Sequence, residues 1–403
     1  MKCCALFFAR SHLAIILVVL ATLPGCDQVN SVVDDVKSSV QESQPPTTPA
    51  APAVEVAQAP IAPPAPVPPT PQELVAEFRS LRPDQVTDGA LVKVTSQPEA
   101  AAEITEVYIQ NSQVSQAGLN YLRAMENLLI LSLHGPQLRP EELALLGHLT
   151  SLKSLDISGS VTNDQVVGSL TSLTNLESLN LSSTLITVAA GPALGQFSNL
   201  QVLKLGSTAA DDSTVAAVSQ LPIRELDLSR THITSASILT IKRMKSLEDL
   251  NVAFTQVQGV AFKGLGASFK RLNVGETNFG DEGLLAIKGM KSLEDLNVFR
   301  ASIVEDRRIA SIFKSFPHLR ILNAGANGFT NAGMEAFFKG HDSLEELRLR
   351  DNGLITDQGL YFLIAVKTLK YLDVNGTGCT MNGARALKEK LPDCKIVTDD
   401  GTI

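Results

Sequence analysis

The pattern Leu-x-x-Leu-x-Leu recurs twelve times from residue 104 to the C-terminus, and no other feature constrains the fold as strongly. Its first positions are Ile104, Leu128, Leu152, Leu176, Leu200, Ile223, Leu247, Phe269, Leu293, Leu319, Leu344 and Leu369. The spacings are 24, 24, 24, 24, 23, 24, 22, 24, 26, 25 and 25 residues. A chain of 403 residues exceeds what one compact core usually holds. A regular period removes that difficulty, because stacked repeats share a continuous core that no single turn can close. Two stretches 46 residues apart, Ile241–Val252 and Ile287–Val298, are nearly identical, which indicates duplication of a two-repeat unit.

Each repeat reads as one coil. The x-Leu-x-Leu-x core is a short strand with its leucines pointing inward. A polar turn follows, as in Ser183–Thr187, Arg230–Thr234 and Glu276–Gly280, and its buried Ile, Val or Phe returns the chain to the core. A helical stretch comes next. In Asp281–Met290, residues Leu284, Ile287 and Met290 recur every three positions, and Asp281 is placed to cap the helix.

These repeats resemble the leucine-rich-repeat family over roughly 300 of the 403 residues. The subtype resembles the 24-residue bacterial and F-box-associated repeats, whose turn reads Thr-x-Ile-Thr-Asp-x-Gly-Leu. Leu354–Leu360 and Phe329–Met334 match that turn. The resemblance implies an α/β fold: a curved solenoid with a parallel sheet on the concave face and helical or 3₁₀ segments on the convex face. The twelve repeats occupy 104–391. Residues 72–103 are expected to form an N-terminal cap, starting with a helix that has Pro71 in its first turn and including Ala90–Val94. Residues 392–403 form a C-terminal cap, in which Leu391–Val397 reads as a last partial strand.

Ahead of the repeats lie an address and a spacer. Lys2 and Arg10 precede the apolar run Leu13–Leu23, too short to span a hydrocarbon core of about 30 Å. This reads as a secretory leader over residues 1–25. The ending Leu23-Pro24-Gly25-Cys26 resembles the lipobox of bacterial lipoproteins, which implies cleavage before Cys26 and its acylation. An ordinary leader with an incidental cysteine is the alternative. The expected location is the cell envelope, lipid-anchored to a bacterial membrane and facing away from the cytoplasm. In enterobacteria Asp after the lipidated cysteine favours the inner membrane; Asp27 fits, but which membrane stays open. Residues 26–71 form a tether, with eleven of the 20 prolines between Pro45 and Pro71. Such a segment favours extended polyproline geometry and reaches about 80 Å at most.

Composition narrows the function. A net charge of −8, and about −10 once Lys2 and Arg10 leave with the leader, excludes a nucleic-acid partner that needs clustered cations. His134, His148, His232, His318 and His341 fall at different repeat offsets with no ligand spacing, and read as surface or turn residues. Neither a phosphate-binding loop nor a nucleophile elbow is present. Cys379 and Cys394 fall in apolar core slots. No catalytic residue, metal or cofactor is expected.

A binding surface is. The residue between the second and third leucine is Asn or Asp in eight of twelve repeats, Asn251, Asn273 and Asn297 among them. Two readings stand: a polar ladder that bonds a ligand, or a solvated inter-strand row. Phe254 and Phe299 fall at strand ends where other repeats place Ser or Gly, close in register to Arg230, Arg271 and Arg300. Aromatic and Arg anchors dominate interface energetics. The expected function is a scaffold that binds a protein, or a polysaccharide, on the concave face around repeats seven to nine. A structural envelope element is the alternative. A ubiquitin-ligase adaptor is suggested by repeat similarity alone and is rejected, because no F-box-like module precedes the repeats.

Overall fold

The computed structural model describes residues 68–403 except 111–112, 136–137, 267, 305–311 and 339–340. The leader, Cys26 and nearly all of the tether lie outside the described residues. Residues Val67–Ile403 form one compact unit. Among the described residues no helix is long and apolar enough to cross a membrane.

Among the described residues fourteen strands make one sheet whose spatial order is the chain order. They are β1 (Glu106–Gln110), β2 (Ile130–His134), β3 (Ser154–Asp156), β4 (Ser178–Asn180), β5 (Val202–Lys204), β6 (Glu225–Asp227) and β7 (Asp249–Asn251), followed by β8 (Arg271–Asn273), β9 (Asp295–Asn297), β10 (Ile321–Asn323), β11 (Glu346–Arg348), β12 (Tyr371–Asp373), β13 (Lys395–Thr398) and β14 (Gly401–Thr402). All neighbours pair in parallel except β13 with β14. The middle leucines lie in one row, with Leu226 beside Leu250, Leu272 and Leu296. All four are buried, so the row is the spine of the core.

The strands are short because each repeat soon turns left-handed. Two residues after the third core position φ is positive: Gly135, Gly159, Ser183, Ser207, Arg230, Phe254, Glu276, Arg300, Ala326, Asp351 and Gly376. The Asn or Asp before it sets up the turn. Asn251, Asn273 and Asn297 each accept the backbone N–H two residues on, at 3.1, 3.1 and 2.9 Å.

The Thr-Asp-x-Gly signature also has a physical reason. Thr380 caps the helix Met381–Lys390 by accepting from the Gly383 N–H, while its own N–H and hydroxyl donate to Asp357 of the preceding repeat, both at 2.7 Å. A Cβ on Gly383 would lie 2.1 Å from Asp357 Oδ1, so only glycine leaves room for that carboxylate. Asp88 with Ser115, Asp164 with Thr187 and Asp212 with Thr234 repeat the arrangement. Asp281 therefore does not cap its own helix. It sits in the first turn of Gly280–Ile287 and accepts the Val304 N–H of the next repeat, because the carboxylate points along the solenoid rather than back onto its own turn.

Both ends are covered. The helix Pro71–Ser80 carries a full capping box between Thr70 and Glu73, and the helix Asp88–Val94 contributes Leu91 and Val94 to the core. At the other end β13 extends the sheet, and the two-residue β14 folds back on it. Sequence periodicity did not announce β14.

Before each strand runs a row of residues, one per repeat, whose backbones are bonded repeat to repeat, as Glu177 N–H to Lys153 O (2.8 Å) and Lys270 N–H to Glu248 O (2.8 Å). From β3 to β12 their signs nearly alternate: Lys153, Glu177, Gln201, Arg224, Glu248, Lys270, Glu294, Arg320, Glu345, Lys370. Bonds from Arg320 and Lys370, each 2.9 Å, hold the Glu345 carboxyl down at about 2. Lys270 and Arg224 lower Glu248 likewise. A depressed carboxyl stabilises the fold fully above its ordinary 4.5, and that contribution fades as pH falls toward 2. The melting midpoint is therefore expected to drop across that window, and to drop less in Glu345→Gln. Equal acid sensitivity in the two proteins would remove Glu345 from the account.

Candidate functional site

Among the described residues no cluster of three or more His, Cys, Asp or Glu is arranged to hold a metal. His341 is buried rather than at the surface, and burial lowers its pKa, which favours the neutral ring. Burial pushes the Cys379 and Cys394 thiols up to about 11, away from the thiolate that nucleophilic chemistry needs. Cys394 is fully buried, whereas Cys379 is only half-buried.

The candidate site lies where the strands of repeats six to ten end. Left-handed backbone suits Gly, Asn, Asp or a small residue, because a bulky side chain crowds the next carbonyl at a cost of about 1 kcal/mol. Repeats two to five obey, with Gly135, Gly159, Ser183 and Ser207. Repeats six to nine do not: Arg230, Phe254, Glu276 and Arg300 occupy the slot with φ of 54, 56, 56 and 46°. Four long side chains thus stand in succession on the rim. The Arg230 guanidinium lies 3.7 Å above the Phe254 ring centroid, and that ring stays 44% exposed. Arg300 bonds Glu276 at 2.8 Å.

Phe254 and Phe299 both fall at strand ends, as the sequence indicates, but they are not equivalent positions and only Phe254 is largely exposed. Phe299 stands one residue earlier in its repeat and is half-buried, its ring over Gly325, whose added Cβ would lie 3.0 Å from it. Arg300 and Arg350 flank that ring at 5.3 and 6.0 Å. Nor do Arg230, Arg271 and Arg300 form one positive spot. Arg271 lies on the sheet face at the start of β8, paired with Asp249 and, at 3.6 Å, with Glu225. Only Arg230 and Arg300 share the rim, and Arg300 is neutralised by Glu276. Arg350 and Glu276 belong to the site and were not singled out in the sequence. Aligning the repeats on their left-handed slot would have found Glu276.

Below the rim, the outward faces of β5 to β11 form a shallow depression of about 410 Å³. Five carboxylates line it against three cations, Lys204, Arg271 and Arg348. Asp249 Oδ1 is buried without a partner, and burial raises both Asp249 and Asp295. Asn251, Asn273 and Asn297 line the same depression. Their Oδ1 atoms serve the turns, whereas among the described residues their Nδ2 groups have no protein partner and remain free to donate.

Residues 267–288 and 341–363 match the model of the leucine-rich repeat. No curated protein sequence matches the chain. Among solved structures it is similar to an internalin from Listeria monocytogenes, at 18% identity and a TM-score of 0.57, over 80% of this chain and 96% of that one. It is also similar to a leucine-rich-repeat protein from Leptospira interrogans, at 18% identity and a TM-score of 0.48, over 74% and 91%. The fold is a leucine-rich-repeat solenoid.

Proposed function

We propose that this chain is an extracytoplasmic binding scaffold, held to a bacterial membrane through acylated Cys26, whose protein partner docks on the rim from Arg230 to Arg300. The observation that carries this reading is the run of large side chains in left-handed slots over four consecutive repeats. Strained backbone that the fold does not need supports a role outside folding. An exposed ring backed by a guanidinium is the kind of anchor that dominates protein interfaces. The depression beside it, acidic in balance and with unpaired asparagine amides, favours a partner that brings basic and carbonyl groups.

Crosslinked capture from intact cells tests this reading. Phe254→Ser with Phe299→Ser is expected to abolish capture of the partner that the unaltered chain retains; unchanged capture would end the proposal. Cys26→Ser is expected to release the chain into the soluble envelope fraction or leave the precursor uncut. Intact mass showing cleavage elsewhere without acyl groups would remove the anchor and leave the rim untouched.

A further inference from the structure

The alternating row ahead of the strands is complementary to itself. Consider a two-fold axis passing between Lys270 and Glu294. It sets Lys270 against Glu294 of a second copy, Glu248 against Arg320 and Arg224 against Glu345. Further out it sets Gln201 against Lys370. No like charges meet in any of these pairs. The backbone ladder spaces the row at one strand per residue, about 4.8 Å, so the two rows keep step. An evenly curved row is carried onto itself by a two-fold axis along its radius, so curvature does not spoil the match.

Within one copy the row is unevenly satisfied. Glu177 holds Lys153, Glu248 holds Arg224 and Lys270, and Glu345 holds Arg320 and Lys370. Glu294, next to the axis, is exposed, and among the described residues it has no ion-pair partner. Gln201 lines a surface depression of about 670 Å³, between Glu177 and Arg224. From Lys153 to Lys370 neutral Gln201 is the departure from alternation, and it faces Lys370, where it meets no like charge.

We infer that this edge is a self-association surface, on which a second copy of the chain docks antiparallel with its two-fold axis between Lys270 and Glu294. Isologous contact of one patch with itself is the commonest way that identical chains pair. Exposed ion pairs are individually weak, so the dimer is salt-sensitive and forms where copies are concentrated. The contact uses the edge where strands begin and leaves free the rim where they end, so it stands independently of the partner-binding site.

Sedimentation equilibrium of the full chain is the test. At low salt a dimer is expected whose dissociation constant weakens at least about tenfold at high salt. Lys270→Glu sets like charges across the axis, as does Glu294→Lys, and each alone is expected to weaken the dimer at least about tenfold. The double variant restores opposite charges and is expected to restore the dimer. Melting curves exclude misfolding, since both substituted sites are exposed. A chain that stays monomeric at low salt, or single variants that dimerise like the unaltered chain, or a double variant as weak as the singles, would overturn the proposal.

Discussion

Leu250→Ala and Leu296→Ala are each expected to cost about 2–5 kcal/mol, the usual range for truncating a buried leucine. Leu250 is 2% exposed and Leu296 fully buried. Both stand in the row that runs from Leu226 through Leu272 to Leu322. The site cannot collapse onto the lost methyls, because the strands on either side are held by backbone bonds such as Glu294 N–H to Lys270 O at 2.8 Å. The cavity term is therefore retained in full. Stacked repeats couple only to their neighbours, so amide exchange is expected to rise in the mutated repeat and those adjoining it, and far less near β2. Denaturant melts giving both variants within about 0.5 kcal/mol of the unaltered chain would contradict this register.

Phe254→Asn separates the cost of the rim from its use. Asparagine accepts left-handed backbone, which relieves about 1 kcal/mol of crowding. The variant loses the stacking of Arg230, an exposed contact contributing about 0.5–1 kcal/mol. These terms nearly cancel, so the melting midpoint should move by no more than a few degrees. Partner capture should instead fall by about 30-fold or more, the loss of one anchor worth about 2 kcal/mol. Phe299→Ser should differ, because that ring is half-buried against Gly325 and its loss lowers the melting midpoint as well. Unchanged capture with Phe254→Asn would take the ring out of the interface, whatever the melting curve did.

The solenoid was legible because burial has a period. Twelve leucine triplets at near-constant spacing leave one way to bury them, a stack of parallel strands, and the structure builds that stack in chain order. Capping was legible in part. Pro71 announced the first helix, because proline in a first turn is a signal that neighbouring residues carry by themselves. The partner of Asp281 was not, since it lies 23 residues on, and only stacking sets a carboxylate beneath the next repeat's turn.

The rim divides along the same line. Residue types at Phe254, Arg230 and Arg300 marked repeats whose left-handed slot holds a long side chain, since a large side chain among Ser and Gly is visible in one dimension. Side-chain pairing between repeats was not visible. Whether a guanidinium stacks on a ring, bonds Glu276 or lies across the face beside Asp249 depends on the direction in which each slot points. The sequence by itself thus determined the period, the core and the neighbourhood of the site. Only the tertiary structure decided that Phe254 is strained and exposed, that Phe299 is packed, and that Arg271 is neutralised. A left-handed residue turns its side chain out onto the rim, and the parallel sheet brings residues more than twenty positions apart into contact.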